Sequence, residues 1–168
     1  MAERKKKHLH IGAAEIEAGA DVLDPMWFSV SIYDGYDRYL KDLEPFTLEQ
    51  RYVFAVEWLA CEVNNGGFDQ FFFNSTSIVW EDAMKGFKAM GMDEAAQLVR
   101  KAADALGGRP SFDRAERQAQ LAEHEQAPKY LDELDRCFYE LDYQDKMRKY
   151  ILDNKEKFYF DGIAEIYE

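Results

Sequence analysis

Nowhere in this sequence do about 18 consecutive apolar residues occur, so no membrane-spanning helix is expected. The basic start Arg4-Lys5-Lys6-Lys7 runs into His8, Glu15 and Glu17 rather than an apolar stretch, so a secretory signal is not expected either. Cysteine is scarce: Cys61 and Cys137 lie far apart, without C-x-x-C spacing, inside segments that read as amphipathic helices. They are expected to be core thiols of a protein in a reducing, cytoplasmic compartment. Histidine is as sparse, with His8, His10 and His124 only, and none stands near an obvious cysteine or serine nucleophile. There is no Walker loop, no G-x-G-x-x-G and no H-E-x-x-H. His8 and His10 with Glu3 have weak metal-ligand spacing at a terminus, where binding is adventitious. No catalytic residue, metal or cofactor is therefore expected, and the chain does not read as an enzyme.

Basic charge is also in deficit. Lys and Arg number 21 against 33 Asp and Glu, a net charge of −12 and a pI near 4.7. Such a chain has no net electrostatic pull toward nucleic acid or an anionic membrane, and a partner chosen by charge should be basic. The charge is uneven: residues 1–10 carry +3, whereas residues 11–50 carry −7.

What is present is material for one well-filled domain: 168 residues, 47% apolar and 15% aromatic. Residues 1–20, basic and then acidic, are expected to form a mobile tail able to fold back on the acidic body. Residues 21–168 read as a single all-α bundle of seven or eight helices. Asp24-Pro25, followed by Phe28, Ile32, Tyr36, Tyr39, Leu40 and Leu43 at three- and four-residue steps, predicts a helix over about 25–43. Thr47 and Gln50 have capping-box spacing before the apolar face Tyr52, Val53, Val56, Leu59, Ala60 and Val63, predicting a helix over 48–63. Asn64-Asn65-Gly66-Gly67 ends it, and Phe68 to Phe73 reads as a short buried helix. Further helices are expected up to Gly91, up to Gly107-Gly108 (these two as a hairpin), after Ser111 as its cap, from Pro128, and over about 144–158. Phe71-Phe72-Phe73, Trp58 and Trp80 read as core or dimer contacts. No segment alternates with period two.

Two sets of polar residues stand out. Glu62, Asn64, Asn65, Asp69 and Gln70 gather around Gly66 and Gly67. A carboxylate pair there is compatible with acid–base work or a small ligand, but a helix end followed by a helix start needs the same residue types to satisfy its amides and carbonyls. The second set is the acids Asp34, Asp37, Asp42, Glu44, Asp132, Asp135, Asp142 and Asp145. On helices, acids three or four apart stand about 5–6 Å from one another at Cβ, comparable with the phosphate charges of duplex DNA at about 1.7 Å of axis each. Such rows offer a DNA-binding protein the electrostatic equivalent of a backbone without bases.

The run Glu62-Val63-Asn64-Asn65-Gly66-Gly67-Phe68-Asp69-Gln70-Phe71-Phe72-Phe73-Asn74-Ser75, continuing into Trp80-Glu81-Asp82-Ala83 and Gly91, resembles a bacterial domain family of unknown function that includes a neisserial acidic DNA-mimic protein. The helix opened by Phe46-Thr47-x-x-Gln50 and the Arg114-x-x-Arg117 segment with Leu121 agree with it, and the resemblance spans approximately 25–160. It implies an all-helical homodimer that engages a helix-turn-helix transcription regulator and keeps it off its operator. The expected function is thus an acidic interaction module that mimics DNA toward a basic DNA-binding protein. The alternatives are a small-ligand binder or enzyme built on the Glu62 to Gln70 cluster, and an immunity- or antitoxin-like inhibitor of a basic toxin.

Overall fold

A computed structural model describes residues 4–124 and 126–167. Its elements run β1 (Arg4–Ile11), α1 (Ala13–Glu17), α2 (Tyr36–Leu43), α3 (Leu48–Phe73), α4 (Trp80–Ala89), α5 (Asp93–Asp104), α6 (Arg114–Glu123), α7 (Ala127–Tyr139), α8 (Gln144–Asp153) and β2 (Phe160–Tyr167), with 3₁₀ turns at Ser75–Val79 and Lys155–Phe158. The spine is α3. Thr47 Oγ1 accepts from the Gln50 amide at 3.2 Å and the Gln50 side chain accepts from the Thr47 amide at 3.0 Å, so the capping box forms as spaced. Val53, Phe54, Val56, Leu59, Ala60 and Val63 are buried along the first part of α3, and Phe68, Phe71 and Phe72 along the second. Around this spine pack α4, α6, α7 and the Ser75–Val79 turn, with α5 against α4 and α7.

Four sequence expectations are corrected. The helix expected over 25–43 shortens to α2, because Gly35 has φ 90 and stops any helix running through it. Met26, Val30 and Ile32 are still buried, so their spacing marked burial within turns rather than a helix face. The cap of α6 is Asp113, whose Oδ1 accepts from the Glu116 amide at 2.9 Å, while the Ser111 hydroxyl donates to the Glu116 carboxylate at 2.7 Å. The helix expected over 144–158 ends at Asp153, and a 3₁₀ turn completes the span. Cys61 and Cys137 are exposed, not core, since Leu59, Ala60 and Val63, and likewise Leu134 and Phe138, take the inward positions.

The chain is also not purely helical. β1 and β2 form a two-stranded antiparallel sheet in the register Arg4↔Tyr167 to Ile11↔Phe160, built on residues expected as a tail. β1 is mostly exposed and β2 mostly half-buried, and among the described side chains only Ile11 and Ala164 are buried, which is why no apolar alternation announces the strands. His8 Nε2 and His10 Nδ1 each lie 3.0 Å from the Asp161 carboxylate. That hydrogen bond raises the His10 pKa above the ordinary value and lowers that of Asp161. Residues 1–3, including Glu3, lie outside the described residues. No described helix is long and apolar enough to cross a membrane.

Candidate functional site

The break inside α3 comes from its two glycines. Gly66 (φ −156, ψ 17) and Gly67 (φ 77, ψ 177) leave helical geometry, so the segment is two helices meeting at an angle. A helix break frees amides and carbonyls, and α7 supplies partners for both sides. The Tyr139 hydroxyl donates to the Val63 carbonyl at 3.2 Å, and Asp135 Oδ1 accepts from the Phe68 amide at 2.8 Å. Glu62 bridges the same break from the other flank, accepting from Asn74 Nδ2 at 3.0 Å and more loosely from Gln70 Nε2 at 3.4 Å. Asn64, Asn65 and Asp69 are exposed. Burial pushes the Asp135 carboxyl pKa up, the Phe68 amide opposes this, and Asp132 and Asp69 add to the rise.

Asp135, grouped by sequence with Asp132 as a surface acid, is therefore an internal helix cap, 7% exposed. Asp135→Asn keeps an oxygen for the Phe68 amide while removing the repelled charge. Its unfolding free energy at pH 7 should stay within about 1 kcal/mol of the parent, whereas Asp135→Ala should lose about 1–2 kcal/mol. Chemical denaturation of the three proteins checks this; equal losses in both variants would contradict the capping role.

At the other end of the second half-helix, α6 caps the outgoing carbonyls. Arg117 is fully buried and, among the described residues, has no carboxylate partner: Nε donates to the Phe72 carbonyl at 2.8 Å, Nη2 to the Asn74 carbonyl at 2.7 Å and Nη1 to the Ser111 carbonyl at 2.6 Å. Burial pulls its pKa down to about 10, which leaves it protonated at neutral pH. Arg114 Nε and Gln118 Nε2 both donate to the Phe73 carbonyl, at 3.1 Å and 3.0 Å. The Arg114-x-x-Arg117 spacing thus places two guanidiniums, one helical turn apart, on the last carbonyls of α3.

Beyond this end opens a groove of about 660 Å³, lined among others by Ile32, Tyr33, Ile78 and Phe112 and by Asp34, Asp37, Asp113 and Arg114. Tyr36 and Phe112 stack in parallel at 3.7 Å in its wall, and Phe112 continues to the Trp80 ring at 6.3 Å. Behind Tyr36, the buried Tyr39 hydroxyl donates to Asp82 at 3.0 Å, and Asp82 also accepts from Arg51 Nε at 2.6 Å, which ties α2, α3 and α4 together. The groove brings Asp34 and Asp37 together with Asp113, a residue not singled out from sequence although its place three residues before Glu116 is a cap signal. Of the remaining acids, Asp42 is half-hidden, accepting from Arg38 Nε at 2.7 Å and from the Ser31 amide at 3.0 Å. Glu44, Asp132, Asp142 and Asp145 are exposed. Among the described residues, no three His, Cys, Asp or Glu side chains stand close enough to hold a metal ion.

A family model described as DMP19-like protein matches residues 44–154, the span from the end of α2 through α8. It includes the glycine break, Asp82, Asp113 and Arg117. No curated protein and no solved structure matches the chain.

Proposed function

Because the chain belongs to the DMP19-like protein family, matched over about two thirds of its length, we propose that it is an acidic interaction module, a DNA mimic that binds a basic DNA-binding protein such as a transcription regulator and competes with its DNA. The reading includes a homodimer, as the family resemblance implies, and no catalysis. The observation that carries it is uncompensated charge. Asp34, Asp37, Glu44, Asp132, Asp142 and Asp145 are all exposed, and none belongs to an ion pair among the described residues. Some other acids are neutralised locally, Asp42 by Arg38, Asp82 by Arg51, Asp104 by Arg100 and Asp153 by Lys149, whereas Asp69, Asp93, Glu94, Glu133 and Glu140 add to the exposed charge. Exposed carboxylates without ion pairs hold counterions that a cationic partner displaces, and the partner sheds those it would release to DNA. In the Glu62 to Gln70 cluster, Glu62 and Gln70 are engaged across the helix break, which supports reading them as structural.

The test is affinity capture from a lysate of the source cells, with elution across a salt gradient in the presence and absence of duplex DNA. A basic DNA-binding protein should be retained at low salt and released by raised salt and by DNA. Its affinity should fall at least about tenfold between 50 and 200 mM salt if several carboxylates contribute. Binding indifferent to both salt and DNA would sink the reading.

A further inference from the structure

We infer that the groove between residues 32–37, the turn at 75–78 and residues 112–114 seats an arginine side chain of the basic partner. This inference rests on the reading of the chain as an acidic interaction module and assigns that reading a place. The groove offers what a guanidinium needs on two sides. Its aromatic side is Tyr33, 71% exposed at the lip, beside the Tyr36–Phe112 stack, whose own faces are taken up by each other, by Tyr39 and by Trp80. A planar, weakly hydrated cation lies favourably against such rings.

The carboxylates of the groove are oriented yet not used up. Asp34 Oδ2 accepts from the Ser31 hydroxyl at 2.7 Å and Asp113 Oδ1 from the Glu116 amide at 2.9 Å, so each side chain is held by one oxygen and has the other to offer. Asp37 is exposed, in the first turn of α2, with no ion pair among the described residues. Among the described residues of the lining the one cation is Arg114, turned to the Phe73 carbonyl at 3.1 Å and over the Phe73 ring at 5.7 Å. Three carboxylates against one guanidinium leave a lining charge of −2. These carboxylates are not gathered closely enough to hold a metal ion, so the fitting cation is an extended one that reaches several acids at once. Lysine presents a compact, strongly hydrated ammonium, which uses neither the ring face nor two-point carboxylate contact.

The experiment titrates the full isotope-labelled chain with two synthetic peptides of equal charge, one alternating arginine with alanine and one alternating lysine with alanine, following backbone amide shifts. The arginine peptide should bind about tenfold more tightly, with the largest shifts over 32–37, 75–78 and 112–114. Asp37→Asn and Tyr33→Ala, both at exposed positions, should each weaken it roughly fivefold or more and leave the lysine peptide little changed, whereas Asp145→Asn should change neither. Equal affinity for the two peptides, shifts confined to the surfaces of Asp132 or Asp142, or no binding of either peptide would each overturn the groove assignment. Salt- and DNA-sensitive capture of a basic partner would stand through any of those outcomes, so the two proposals fail separately.

Discussion

Arg117→Ala should lower the unfolding free energy by about 3–5 kcal/mol, the cost typical of deleting one side of a buried charged network. Arg117 is 0% exposed and donates to the carbonyls of Phe72, Asn74 and Ser111, so its loss leaves the last turn of α3 and the approach to α6 with buried acceptors and no donor. Alanine also leaves a cavity beside Phe72. Two further variants separate these causes. Arg117→Met fills most of the volume yet leaves the carbonyls unpaired, and Arg117→Lys keeps the charge but cannot reach three divergent carbonyls from one ammonium. Both should recover less than half of the loss. Urea denaturation monitored by tryptophan fluorescence reads the effect, because Trp80 Nε1 donates at 3.2 Å to the Pro110 carbonyl in the adjoining segment. A loss below about 1 kcal/mol, the scale of an ordinary surface change, would mean that these hydrogen bonds do not hold the α3–α6 junction.

Gly67→Ala is the second large effect, expected at about 3 kcal/mol or more. Two penalties act together: φ is 77, where L residues are strained, and an added Cβ would stand 2.2 Å from Asp135 Oδ2. That carboxylate has little room to retreat, since its other oxygen holds the Phe68 amide. Gly66→Ala is the natural comparison. Its φ is negative, and the nearest obstruction is the far end of the Gln70 side chain, which can swing away at the cost of a 3.4 Å contact with Glu62. It should cost about 1 kcal/mol or less. Combining Gly67→Ala with Asp135→Ala should cost less than the sum of the two, because the collision disappears while the lost cap is counted once. Equal losses at Gly66 and Gly67, with additivity in the double variant, would show that neither the left-handed backbone nor the Asp135 contact sets the cost.

Much of the helical framework was legible because local chemistry announces it. The Thr47–Gln50 capping box, the apolar face from Val53 to Val63, Pro128 at the start of α7 and Gly91 after α4 each act within a few residues, and each element forms where those signals stand. The misplaced helix over 25–43 shows the limit of periodicity. Apolar residues at three- and four-residue steps reported burial correctly at Ile32, Tyr39 and Leu43, but Gly35 decided that the backbone between them would turn. The sheet was invisible for a related reason: β1 is exposed over most of its length and β2 is mostly half-buried, so neither has an apolar alternation to show.

The candidate site divides along the same line. Composition and local pattern by themselves determined the acidic character, the predominance of helix and the break at Gly66-Gly67, because charge is a sum over residues and helix ends are read by neighbours. Tertiary structure alone decided which acids face outward. Asp132 and Asp135 lie three residues apart on one helix, yet Asp132 is exposed and Asp135 is buried under the break. That difference is made by α3, 67 residues earlier in the chain, whose Phe68 amide needed a partner once the glycines had freed it. The groove, likewise, joins Asp34 and Asp37 to Asp113 across more than seventy residues, a juxtaposition that packing creates and no local spacing encodes.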